Sequence, residues 1–226
     1  MQIKHNFSLQ HFPTHIVIIG IMTLFYLVSR AFVTPVKLDG FLMVVLGYFS
    51  LLLICITLLI GPLALLRWWR TPLNIEVRRD VGIWAGITGL LHVLLTFRGT
   101  FVNNYILYFF LRPNCCGGYV PDLHLFGISN DIGLLATLLL LALTALSNTL
   151  SLRLLKGKWW KRLQRLTYPL VALSLLHTFI YQYINLRESL LVILTILLLL
   201  LVLICQGIGI ALTLSRKRHL TSQSRL

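Results

Sequence analysis

Residues 78–98, RRDVGIWAGITGLLHVLLTFR, open with two arginines and an aspartate, turn apolar at once, and carry one histidine, His92, deep in the apolar part. Residues 161–183, KRLQRLTYPLVALSLLHTFIYQY, repeat the plan, with a basic start at Lys161–Arg165 and a single histidine, His177. In each run the histidine lies twelve residues past the last opening charge, Asp80 to His92 and Arg165 to His177. As a helix that is about 18 Å, just past the middle of a hydrocarbon core roughly 30 Å thick. Two imidazoles at one depth on two helices are spaced to hold a flat metal macrocycle between them.

Composition permits the depth argument. The chain has 226 residues, 58% of them hydrophobic and only 12% charged, with a mean hydropathy of +0.86. Six acidic residues cannot furnish a soluble surface of this size. An integral membrane protein in contact with a lipid bilayer follows. The formal charge of +14 does not point to nucleic acid, because the basic residues sit in short runs between apolar segments. Residues 1–14 are polar and hold Lys4, His5 and His11, unlike a cleavable signal peptide.

The fold class expected is an all-α membrane protein, a bundle of six transmembrane helices forming one domain over residues 1–226. The predicted spans are 15–33, 41–66, 81–97, 128–150, 166–184 and 190–214, each near the ~20 residues a crossing needs. Helices rather than barrel strands follow from run length, since backbone groups in lipid must be satisfied within the segment. With both termini on one side, that side holds Lys4 and the basic residues of 67–79, 153–165 and 216–225, fifteen in all, against five on the other: Arg30, Lys37, Arg98, Arg112 and Arg187. The bias puts both termini in the cytoplasm, or the stroma of an organelle, and both histidines in the outer half of the membrane. The bacterial inner membrane is the expected location, with a thylakoid or other organelle membrane as the alternative.

Helical spacing groups further residues with the histidines. Gly82, Ala85, Gly89 and His92 form a stripe of small residues ending in the histidine, and Leu170, Ser174, His177 and Tyr181 form a comparable stripe. Small residues let a second helix, or a flat ring, approach the backbone. Ionisable residues inside a membrane are costly and usually functional, and imidazole is a standard axial ligand to haem iron. Zinc is disfavoured, because a structural site takes four ligands and these helices offer no cysteine or carboxylate at that depth. Arg98 lies six residues outward of His92, about 9 Å along a helix, within range of a propionate at the haem edge.

The patterns RRxxGxxAxxxxxLH, from Arg78 to His92, and WKRLxRLxYxxxxxxxLH, from Trp160 to His177, resemble the ferric-reductase-like transmembrane domain family. The similarity is nearest to the bacterial branch that includes the haem-binding subunit of the periplasmic methionine sulfoxide reductase system. It covers about residues 61–183, with Gly61-Pro62-Leu63 as a weaker echo. The resemblance implies a six-helix cytochrome with one haem b, held by His92 and His177 amid Ala85, Gly89, Arg98, Ser174 and Tyr181. It implies an electron-transfer component rather than a complete enzyme, taking electrons from a donor protein or quinol and giving them to an acceptor protein or ferric species outside. In that branch a histidine usually stands where this chain has Gln164, and two-haem members carry another where it has Arg79. Glutamine is a poor iron ligand, which speaks against an inner haem. FMN or a quinone, held near Arg79, Gln164 and Arg165 by the 67–79 and 156–165 loops, is the inner cofactor that the resemblance permits. No GxGxxG motif marks a soluble flavin or nicotinamide domain.

The stretch 98–130 reads as an exposed outer loop. Its NCCGGY run places Cys115 beside Cys116, with His124 further on, an incomplete metal set that could bridge a partner or close on itself. Cys55 and Cys205 read as small packing residues inside spans. Two other classes compete with electron transfer: a haem-free structural or assembly subunit, kept open by Gln164, and a small transporter, which would normally show broken helices or more midplane charge. The charge bias makes a checkable statement. A fluorescent protein fused after Leu226 should fluoresce and alkaline phosphatase fused at Pro113 should be active; the opposite pair of results would invert the topology.

Overall fold

A bilayer offers backbone N–H and C=O groups no partners, so the apolar runs close their bonds within themselves and become helices. The structure, a computed structural model, describes residues 12–32, 38–65, 74–100, 111–185 and 189–223. In chain order these form α1 (Phe12–Phe32), α2 (Leu38–Leu65), α3 (Asn74–Thr100), a hairpin of β1 (Leu111–Pro113) and β2 (Tyr119–Pro121), and α4 (Leu125–Leu146). Two short helices, α5 (Thr149–Leu154) and α6 (Lys156–Leu163), and a 3-10 turn (Gln164–Leu166) lead into α7 (Thr167–Asn185), and α8 (Ser189–Gln223) follows. Five of these, α1, α2, α3, α4 and α8, are long and apolar enough to cross a membrane. The nineteen residues of α7 fall short of that hydropathy, because the helix carries Tyr168, His177, Tyr181, Gln182 and Tyr183.

Helix α2 is the hub. Of its apolar stretch 61% is buried, against 33% for α3, 28% for α4, 22% for α8 and 6% for α1. It packs along α3 on one side and α8 on another, and it also meets α7 and α1. Helices α4 and α7 form a second close pair, joined to the first through α3–α4 and α2–α7 contacts. Phe49, Leu53 and Cys55 of α2 and Leu170 of α7 are fully buried, Phe49 with its ring 5.8 Å from that of Phe25 in α1. The α3 glycines allow the close approach: a Cβ on Gly86 would collide with the Thr144 side chain, and one on Gly89 would lie 2.5 Å from Leu140 and 2.8 Å from Ser50 Oγ. Ser50 Oγ in turn donates to the Ala85 carbonyl at 2.9 Å, tying α2 to α3.

Pro62 shows how a broken bond is repaired. It lies inside α2 and has no N–H to give the Leu58 carbonyl one turn earlier. Gln206 Nε2 of α8 donates to that carbonyl at 2.7 Å, while Gln206 Oε1 accepts from the Tyr168 hydroxyl at 3.2 Å. Pro62 also packs against Gly209, where a Cβ would stand 3.2 Å from the proline ring. Outermost, α1 is pinned by Trp84 Nε1, which donates to His15 Nδ1 at 2.9 Å.

Three stretches differ from the sequence expectation. Residues 156–163 are helical rather than a loop, and α6 is fastened by Trp160 Nε1 donating to the Leu146 carbonyl at 3.1 Å. Arg78 and Arg79 lie on α3 itself, which starts at Asn74, seven residues before the predicted span. The outer stretch contains the β1–β2 hairpin, with Arg112 opposite Val120, and α4 begins three residues earlier than predicted. In each case hydropathy marked the apolar part of an element and missed its polar turns. Gln206→Leu is expected to lower stability in detergent by about 1 kcal/mol, because the Leu58 carbonyl loses its partner. In a Pro62→Ala background, where an N–H returns to that carbonyl, the loss should shrink. Equal losses in both backgrounds, read from a thermal-unfolding double-mutant cycle, would disconnect the two residues.

Candidate functional site

Helices α2, α3, α4 and α7 line a half-open cavity of about 340 Å³. His92 of α3 and His177 of α7 both line it, with Met43, Gly47 and Tyr48 of α2, Gly89 and Thr96 of α3, Asn130 and Gly133 of α4, and Leu170, Ser174, Tyr181 and Gln182 of α7.

Both histidines are held by one device, built twice. His92 Nδ1 lies 2.8 Å from the Met43 carbonyl, and His177 Nδ1 lies 2.8 Å from the Ser129 carbonyl. A carbonyl oxygen only accepts, so each Nδ1 carries the proton and each Nε2 keeps its lone pair. In a helix each of these carbonyls already faces the N–H four residues on, at Gly47 and Gly133 respectively. An imidazole reaching the carbonyl must pass over that fourth residue. A Cβ on Gly47 would stand 2.9 Å from His92 Nδ1 and 3.1 Å from its Cε1; on Gly133 it would stand 2.7 Å from His177 Nδ1 and 2.8 Å from its Cε1. Only glycine fits at either place. The Ser129 hydroxyl adds a contact at the second site, 3.3 Å from His177 Nδ1 and 3.3 Å from the His177 carbonyl, to which it donates.

Polar side chains brace the walls. The Tyr181 hydroxyl donates to Asn130 Oδ1 at 2.9 Å, and the Tyr181 ring lies 5.0 Å from that of His177. Gln182 Nε2 donates to the Tyr48 hydroxyl, linking α7 to α2. A second, smaller cavity of about 50 Å³ is lined by Arg78, Arg79, Gly82 and Ala85 of α3, Ser147, Trp160, Gln164 and Thr167. Gln164 Nε2 is buried there with no hydrogen-bond partner among the described residues.

The residues singled out from sequence divide between these places. His92, His177, Gly89, Ser174 and Tyr181 surround the large cavity. Ala85 does not: it lies seven residues before His92, about 10 Å along the helix, and lines the small cavity instead. Arg79 and Gln164 line the small cavity too, whereas Arg165 is exposed on the 3-10 turn and lies outside it. The side chain of Arg98 falls outside the described residues. Sequence reasoning missed Gly47, Gly133, Met43, Ser129, Tyr48, Asn130 and Gln182. The two glycines in the middle of apolar spans were a usable signal; the carbonyls were not, since any residue supplies one. Among the described residues no group of three or more His, Cys, Asp or Glu side chains comes together.

The family model described as "Ferric reductase like transmembrane component" matches residues 40–175, from the start of α2 through α4 and the first nine residues of α7, ending two residues before His177. The clamp itself yields a test that needs no cofactor. In ¹⁵N spectra of histidine-labelled protein, His92 and His177 should both show the Nδ1–H tautomer. Gly47→Ala should disturb the His92 signal alone and Gly133→Ala the His177 signal alone; two unaffected signals would show that the glycines do not hold the rings.

Proposed function

Since the chain belongs to the ferric-reductase-like transmembrane component family, we propose that it is a membrane electron-transfer protein holding one haem b between His92 and His177. The observation that carries this reading is the duplicated clamp. Two imidazoles from different helices line one cavity, each fixed through Nδ1 so that Nε2 is left as a donor. Hydrogen bonding of the outer nitrogen orients a ligating imidazole and raises its basicity. A cavity of about 340 Å³ lies within the roughly 300–1,000 Å³ usual for small-molecule sites. The donor set and the space both suit haem.

When bound, haem iron supplies a one-electron couple. The chain's residues do the rest. His92 and His177 would hold the haem iron, and iron held by two imidazoles favours electron transfer over oxygen binding. Gly89 and Ser174 keep the walls thin beside the histidines, and Leu170 with Leu140 keeps that floor apolar. The hydrogen-bonded pairs Tyr181–Asn130 and Gln182–Tyr48 set the spacing of α7 against α4 and α2.

In this reading α7 is the sixth crossing helix and both termini face the cytoplasm, as the distribution of lysine and arginine favours. Electrons would leave at the outer side, to a ferric species or an acceptor protein, and the WKRL pattern favours the branch that serves periplasmic methionine sulfoxide reductase. The inner cavity, at about 50 Å³, suits the oxygen edge of a quinol or quinone against Gln164 Nε2 better than a whole flavin ring. Quinol in the bilayer is therefore the donor we favour over FMN. A bacterial inner membrane suits such a chain.

The test is spectroscopic. Purified protein should carry one haem b per chain, low-spin, with a sharp α-band after dithionite, and His92→Ala or His177→Ala should lose most of it. Loss of the band's sharpness in neither variant, or full haem content in both, would sink the proposal and favour a structural subunit.

A further inference from the structure

The β1–β2 hairpin presents two thiols that the electron-transfer reading leaves unused. Cys115 and Cys116 are both exposed, their sulfurs lie 3.7 Å apart, and neither is in a disulfide. Their turn is well braced. Asn114 Oδ1 accepts from Cys116 N at 3.1 Å and from Gly118 N at 2.7 Å, Asn114 N donates to the Gly118 carbonyl at 2.8 Å, and Gly117 takes a φ of 80°. Cys55 and Cys205 differ, being buried and half-buried within apolar helices.

Adjacency fixes the chemistry of this pair. Neighbouring Cα atoms are about 3.8 Å apart across a trans peptide, below the roughly 4.4–6.8 Å of ordinary disulfides. A disulfide closed between them is therefore strained and readily reopened. Strained, exposed disulfides are the ones that exchange, whereas relaxed buried ones brace a fold. Two sulfurs already in contact add a second property: whichever attacks an outside disulfide has a resolving thiol beside it.

We propose that Cys115 and Cys116 form a reversible thiol–disulfide exchange site for a partner protein that carries an exposed, labile disulfide. One cysteine, having released its proton, attacks a partner sulfur; the partner's S–S bond breaks, a mixed disulfide forms, and the other partner sulfur leaves as thiolate. The neighbouring cysteine, as thiolate, then attacks the cysteine sulfur of the mixed disulfide. The Cys115–Cys116 bond closes and the second partner sulfur leaves. Two electrons and two protons have passed to the partner, which departs as a dithiol, while the pair is oxidised to a disulfide. The reverse sequence reopens the pair. Only three residues separate Pro121 from α4, whose first turns bring Phe126 and Asn130 to the large cavity. The partner would thus dock at the Phe126 end of that cavity.

The site is tested on full-length protein in detergent, reduced, freed of reductant and mixed with glutathione disulfide as a stand-in for the partner. Acid-quenched samples are weighed by mass spectrometry, and a Cys115→Ser/Cys116→Ser double variant supplies the background from Cys55 and Cys205. Wild type should lose two hydrogens with only a transient glutathione adduct, and excess reduced glutathione should restore them. Cys115→Ser and Cys116→Ser should each hold the adduct roughly tenfold longer or more, since resolution within the pair is intramolecular. Adducts that persist equally in wild type and single variants, or reactivity no greater than the double variant's, would overturn the proposal.

Discussion

The structure depends on a hydrogen bond from an imidazole ring to the side of a helix. A helical carbonyl already bonded along its own axis has a second lone pair, and a glycine four positions on leaves room for a ring to reach it. Met43 with Gly47 and Ser129 with Gly133 meet that condition, and an imidazole from a neighbouring helix uses each. In a bilayer an imidazole N–H without a partner is costly, so the bond both satisfies a polar group and fixes the ring. The order of packing follows: α2 must lie tight against α3, and α4 tight against α7. These are the two close helix pairs of the bundle.

Elsewhere the same accounting governs α2. Proline within a buried helix strands a carbonyl, and the repair comes from Gln206 on another helix. Ser50, Gln182 and Trp84 make comparable bonds between helices, each linking polar atoms that the lipid would leave unmet. Apolar burial alone discriminates little among helices that are apolar on every side, because lipid tails are as apolar as leucine. Register between these helices therefore rests on such bonds and on glycine contacts, notably Gly86 with Thr144 and Gly89 with Leu140.

The two cavities differ for a reason visible in the residues around them. At the His92–His177 level the walls are cut back by Gly47, Gly89 and Gly133, and space opens. Toward the start of α3, the smaller gap is bordered by Trp160 and Leu143 together with Arg78, Arg79 and Gln164. One level opens a cavity of about 340 Å³; the other leaves a buried amide donor beside a void of about 50 Å³. This contrast is what makes the interior asymmetric along the helices.

By itself the sequence determined the membrane class, the helical character of the runs, the matched depth of His92 and His177, and the placing of Ser174 and Tyr181 on the face of His177. Those properties are one-dimensional: hydropathy and the 3.6-residue repeat carry them along a single helix. It overstated Ala85, because a shared stripe does not ensure a shared level, and about 10 Å of rise separates that residue from His92. It read helical turns around 74–80 and 156–163 as loops, since hydropathy marks only the apolar part of a helix. Only the tertiary structure decided which helices face one another, and with that the roles of Gly47, Gly133, Met43 and Ser129. Each acts through a backbone carbonyl or an absent side chain on a different helix, and neither leaves a mark in residue type that periodicity can detect.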